Sequence, residues 1–131
     1  MREFIKGANP YMPLWEHVPD GEPRVFEHNG EKRVYVYGSH DKAGSDSFCD
    51  HVLKCWSAPV DNLNDWVCHG DIFHTIPDRD HAADTDWTNE NNQLFAPDVV
   101  EKDGRYYLYY AFDFMGIMGV AVSDRPQGPY E

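Results

Sequence analysis

Positive charge is scarce in this chain: 11 Lys and Arg stand against 23 Asp and Glu, for a formal net charge of -12. No Lys/Arg cluster offers a local exception, so a phosphate backbone would be repelled and nucleic acid is excluded as a partner. Long apolar runs are missing too. None approaches the roughly 18 to 20 residues that a membrane helix needs, and Met1-Arg2-Glu3-Phe4 begins no signal-peptide core. No membrane partner is expected, and the chain reads as soluble and cytoplasmic. Cysteine is limited to Cys49, Cys55 and Cys68, an odd number at spacings that match no zinc pattern; reduced, structural thiols are expected. Helical periodicity is nearly absent, which leaves an all-β reading.

What the chain does have is aromatic residues, 8 Tyr, 7 Phe and 4 Trp in 131 positions, a content that argues against disorder. At this length one domain, or a piece of one, can bury a core, and two independent ones cannot. Beyond a start rich in Pro and aromatics, Asn9-Pro10-Tyr11-Met12-Pro13-Leu14-Trp15, strand-type alternation takes over. A first strand at 23–26 turns at Asn29-Gly30, the strongest short hairpin signal, and returns over 33–37. A third strand is expected at 51–57 and a short fourth around 66–69.

The pattern then recurs. Pro23-Arg24-Val25-Phe26-Glu27-His28-Asn29-Gly30 lines up with Pro97-Asp98-Val99-Val100-Glu101-Lys102-Asp103-Gly104 in a shared frame, P-x-V-x-E-x-[N/D]-G. Return strands follow in both copies, Val34-Tyr35-Val36-Tyr37 and Tyr107-Leu108-Tyr109-Tyr110, after hairpins that differ by about one residue, and then third strands. Repeated small antiparallel sheets are the signature of propeller blades, with a β-sandwich of similar hairpins as the alternative. The expected organisation is one blade over about 20–70, a connecting surface loop over about 71–94, dense in Asp, Asn and His, and a second blade over about 95–131. Two blades cannot close a ring and would leave apolar faces and sheet edges bare, so further blades or a second copy of the chain are expected as partners.

Several of these strings resemble glycoside hydrolase family 43: Glu22-Pro23-Arg24-Val25-Phe26, Tyr37-Gly38-Ser39-His40-Asp41, Leu94-Phe95-Ala96-Pro97-Asp98-Val99-Val100, Asp103-Gly104-Arg105-Tyr106-Tyr107-Leu108-Tyr109-Tyr110 and Gly119-Val120-Ala121-Val122-Ser123-Asp124. The resemblance runs from about Asn9 to the last residue. It implies a five-bladed β-propeller, of which these would be the first two blades. It also implies an inverting hydrolase of O-glycosyl bonds in arabinose- and xylose-containing oligo- or polysaccharides, with no cofactor. Inversion needs a base carboxylate and an acid carboxyl about 6.5 to 9.5 Å apart on opposite faces of the sugar. The family's base is an Asp before a Pro at the start of the innermost strand of the first blade; here that position holds Glu22, one methylene longer. Asp20, two residues earlier and on the same face of an extended segment, is the second candidate. The plainer roles are a turn at Asp20-Gly21 and a strand-entry carboxylate at Glu22. The family's remaining catalytic carboxyls would belong to the third and fourth blades, outside these residues.

By the same resemblance Asp98 would bond a sugar hydroxyl beside the scissile bond; alternatively it pairs with Arg24 across neighbouring inner strands. His40 and Asp41 end the second strand of the first blade and are further candidates for substrate contact. Rim aromatics such as Trp87, Phe112 and Phe114 would stack on sugar rings. Two other classes compete. The run His69, Asp71, His74, Asp78, Asp80, His81, Asp84 and Asp86 is rich enough in His and Asp to suggest a metal-binding module, although it meets no zinc or EF-hand spacing and a solvated acidic loop explains the same residues; a structural metal ion is the one addition it leaves open. A non-catalytic carbohydrate-binding or assembly domain would need only an aromatic groove.

Overall fold

The computed structural model describes residues 12, 16–86, 93–112 and 116–131. Asn29 and Gly30 both take positive φ (53° and 79°), as do Asp103 and Gly104 (54° and 77°). This is the left-handed pair that a two-residue hairpin turn requires, and Asn-Gly or Asp-Gly adopts it at least cost. The first turn joins β1 (Glu22–His28) to β2 (Glu31–Ser39), and the second joins β5 (Leu94–Lys102) to β6 (Arg105–Phe112). With β3 (Val52–Pro59), β4 (Val67–His74) and β7 (Met118–Ser123), they form two antiparallel sheets, ordered β1-β2-β3-β4 and β5-β6-β7. No helix occurs among the described residues.

Both hairpins use two-residue turns, so the expected one-residue difference between the repeats does not exist. Val25 pairs with Val34 and Val99 with Leu108. Val34 therefore corresponds to Leu108, and Tyr35 to Tyr109.

One face of each sheet meets the other. Tyr35, Tyr37, Leu53, Cys55, Ile72 and Phe73 of the first sheet pack with Leu94, Val99, Tyr106, Leu108, Tyr110 and Phe112 of the second. Phe73 and Tyr110 lie 4.6 Å apart between ring centroids, and Phe26 meets Tyr106 edge-on at 5.2 Å. Each fully buried Leu or Phe in this layer contributes about 1.5 to 3 kcal/mol relative to exposure. The three cysteines are free thiols, and burial raises the Cys55 thiol well above its ordinary pKa, as suits a packing residue.

The connecting loop expected over 71–94 is shorter than that. Asp71 to His74 belong to β4, and Leu94 opens β5. Ile72 and Phe73 drive this, being buried in the layer between the sheets; the flanking Asp71 and His74 give the segment a loop-like composition without removing its apolar content.

The segment after β7 crosses back. Tyr130 is fully buried, its N–H donates to Ile72 O of β4 at 2.9 Å, and Val122 and Glu131 exchange backbone hydrogen bonds at 2.8 and 3.1 Å. The Tyr37 and Tyr130 hydroxyls both donate to Pro126 O at 2.7 Å. Residues 126–131 thus tie β7 to the first sheet.

Candidate active site at the shared edge of the sheets

The registers Glu22↔Tyr37, Ser39↔Leu53 and Val52↔His74 bring the start of β1, the end of β2, the start of β3 and the end of β4 to one edge. The second sheet joins that edge through the start of β5: Leu94 N donates to Asp50 O at 3.0 Å and Ala96 N to Ser39 Oγ at 3.1 Å. Ala96 has φ 42° and sits in a register shift between Phe95 and Asp98. Such a bulge re-aims the side chains beside it.

Before β1 the chain turns at Pro19-Asp20, with Asp20 at φ 53°. The turn lies close over Gly38 of β2: a Cβ there would fall 2.1 Å from Val18 Cγ1 and 3.1 Å from Pro19 O. Gly38 is therefore what lets the Asp20 turn settle on the sheet. Asp20 and Asp41 line a cavity of about 340 Å³ with Pro19, Phe48, Cys49, Phe95 and Ala96. Asp41 Oδ1 accepts the Cys49 N–H at 2.9 Å, which shapes the loop that presents Phe48. Phe48 is 79% exposed, an apolar ring standing in an open cleft beside carboxylates.

Glu22 and Asp98 lie in a second group. Arg24 Nε donates to Asp98 Oδ1 at 2.8 Å and Arg24 Nη2 to Asp98 Oδ2 at 2.6 Å, a bidentate pair between β1 and β5. Glu22 Oε1 is 3.4 Å from the same Arg24 nitrogen. The Arg24 hydrogen bonds, with the Val99 N–H, hold the Asp98 carboxyl below its ordinary pKa, and the guanidinium is raised in return. Of the two roles open to Asp98, the structure places it in the cross-strand pair. A carboxylate so held is unsuited to donate a proton.

His40 stands between two carboxylates: its Nε2 lies 3.0 Å from Glu16 Oε1 and its Nδ1 3.4 Å from Asp50 Oδ2. Lys54 continues this network to Glu16 at 3.8 Å and to Asp71. Trp87 and Phe114 lie outside the described residues. Phe112 is buried, in T-shaped contact with Tyr110, so it is core and not rim. His69 belongs to the other part of the sheet, its Nε2 2.7 Å from Ser57 Oγ, and is kept neutral to lower pH by burial and by Arg33. Phe48 and Phe95 carry no motif that marks them as site residues in the sequence. The one signal was an isolated Phe in the polar run Ser45-Asp46-Ser47-Phe48.

Residues 28–131 match the sequence profile of glycosyl hydrolases family 43. The chain belongs to that family. A xylosidase/arabinosidase of Thermoclostridium stercorarium is 47% identical over 126 residues, covering 94% of this chain and 24% of the relative. Xylosidase/arabinosidase 43A of Humicola insolens is 34% identical over 131 residues, covering 90% and 36%. Among solved structures, a family 43 enzyme of Xanthomonas citri superposes with TM-score 0.66 at 26% identity, over 91% of this chain and 33% of that one. The chain thus spans about a quarter to a third of the length of these family 43 proteins, and its two sheets are propeller blades.

Proposed function

We propose that the chain supplies the base end of an inverting glycosidase acting on O-glycosyl bonds of xylose- or arabinose-containing saccharides. The observation that carries this reading is the cleft in which the Asp20 carboxylate stands beside Phe48 and Phe95. A carboxylate that accepts a proton from water and an apolar ring that packs on a sugar face are the two groups one side of such a site requires. Asp20 makes no ion pair among the described residues, whereas Glu22 leans on Arg24. The water-activating role therefore goes to Asp20, and Glu22 positions Arg24 and Asp98. The xylosidase/arabinosidase names of the relatives support the substrate class. The acid partner would come from outside these residues, and the bare face of the second sheet supports a neighbouring blade, or a second copy of the chain, as the structural partner.

The test compares the chain alone with the chain joined to the further length its relatives carry, on aryl xylosides and arabinofuranosides. Asp20→Asn should lower kcat by about 10² to 10⁴, the usual worth of a positioned base, with KM little changed. Azide should restore turnover to Asp20→Ala. If Glu22→Gln abolishes activity while Asp20→Asn leaves it within tenfold, Glu22 is the base. Binding of xylo-oligosaccharide without hydrolysis in either form would favour the carbohydrate-binding alternative.

A further inference from the structure

His74 ends β4 on the same edge, and its side chain is 95% buried. Its Nδ1 lies 3.2 Å from Asp84 Oδ2, an oxygen that also accepts the His74 backbone N–H at 2.7 Å. A carboxylate there selects the tautomer with the proton on Nδ1, leaving Nε2 with a lone pair. Nε2 has no hydrogen-bond partner. It faces Asp71 Oδ2 at 3.5 Å and Asp78 Oδ2 at 3.9 Å. A lone pair aimed at two carboxylates is repulsive unless a cation lies between them.

A second imidazole closes the group. The His81 ring stacks on His74 at 5.0 Å and 14°, and its Nδ1 is 3.6 Å from Asp78 Oδ1. One donor atom each from His74, Asp78 and His81 falls within 4.8 Å of the others. Ligands at about 2.0 to 2.2 Å in tetrahedral array stand roughly 3.3 to 3.6 Å apart, so the three donors must draw together by about an ångström, a movement that the exposed His81 and Asp78 side chains are free to make. The backbone already holds the loop in place: Asp84 N donates to His74 O at 2.9 Å and Asp78 N to His81 O at 3.0 Å. The N–H groups of Asp80 and His81 keep the Asp78 carboxyl below its usual range.

We propose that His74, Asp78 and His81 form a zinc site, with Asp84 as the carboxylate that orients His74. Two imidazoles and one carboxylate suit zinc and its neighbours in the first transition row, whereas calcium and magnesium take oxygen sets. Three protein ligands leave a fourth position for water or for Asp71, whose charge is shared with Lys54. The metal would pin the chain leaving β4 against the sheet edge.

The purified 131-residue chain, stripped with chelator, is titrated with Zn²⁺ in competition with a chromogenic chelator, and Co²⁺ is added separately as a visible-absorption probe. One equivalent of Zn²⁺ is expected, with tetrahedral Co²⁺ bands. His81 and Asp78 side chains are 64% and 48% exposed, so His81→Ala and Asp78→Ala should fold, and each should weaken Zn²⁺ at least about tenfold. Asp84→Asn, acting through His74, should cost about 10- to 100-fold. Uptake well below one equivalent, affinity unchanged in His81→Ala, or equal competition by Ca²⁺ would each overturn the site; the first would mean that a proton on Nε2 satisfies the two carboxylates instead.

Discussion

Two buried phenols share one carbonyl, and this makes their removal non-additive. Tyr37 and Tyr130 are both fully buried, and both hydroxyls donate to Pro126 O at 2.7 Å. Burial pushes both phenols far above their ordinary pKa, so both remain donors at any working pH. Tyr→Phe keeps the ring and deletes only the hydroxyl. In either single variant the carbonyl retains one donor, and the cost is one neutral hydrogen bond, about 0.5 to 1.5 kcal/mol. In the double variant a buried acceptor has lost both, which adds a desolvation penalty of about 1 to 3 kcal/mol. Urea unfolding followed by tryptophan fluorescence should give a coupling energy of about 1 kcal/mol or more, beyond the few tenths expected of independent sites. Strict additivity would refute the reasoning, because it would mean that a water or another group satisfies Pro126 O.

Two further outcomes follow from the shared edge. Asp98→Asn should cost about 0.2 to 1 kcal/mol, since the pair is bidentate but its side chains are 42% and 44% exposed and solvent screens them. Because the folded Asp98 carboxyl lies below its unfolded value of 3.8, that contribution is present above pH 3.8 and is lost as pH falls through the folded pKa; a cost that grew on acidification would contradict the pairing. Gly38→Ala should destabilise by about 1 to 3 kcal/mol through overpacking against Val18 and shift the Asp20 turn, so a thermal scan showing no loss would remove Gly38 as its seat.

The hairpins were legible because Asn-Gly and Asp-Gly force a turn conformation whatever surrounds them. The Arg24–Asp98 pair was half-legible for a related reason: the repeat puts both residues one position after its Pro, and neighbouring inner strands bring equal positions side by side. Phe112 went the other way. As the last residue of β6 it keeps the parity of Tyr106, Leu108 and Tyr110, all core-facing, a parity that can be fixed only once the hairpin register is known. The end of β4 was hidden because two apolar side chains between Asp71 and His74 are too few to show a period. Tyr130 could not be found at all from local pattern, since its partners Ile72, Tyr37 and Pro126 are set by the packing of the two sheets.

The corrected register also bears on what the second sheet meets. Tyr35 and Phe26 lie on the face of the first sheet that the second one covers, and their repeat equivalents are Tyr109 and Val100. Tyr35 is 3% exposed, but Tyr109 is 43% and Val100 48%, with Val120 and Met118 also bare. The side-chain types persist while the cover does not. Retaining aromatic and β-branched residues at solvent-facing positions is costly for solubility unless another surface packs there. If a blade or a second copy of the chain covers this face, sedimentation of the isolated chain at micromolar concentration should show association. Tyr109→Lys with Val120→Glu, which places opposite charges on the paired positions Tyr109↔Val120, should then return it to monomer without lowering its stability by more than about 1 kcal/mol, as expected of surface changes. A monodisperse monomer from the start would mean that these side chains are tolerated bare, and the argument from the repeat would fail.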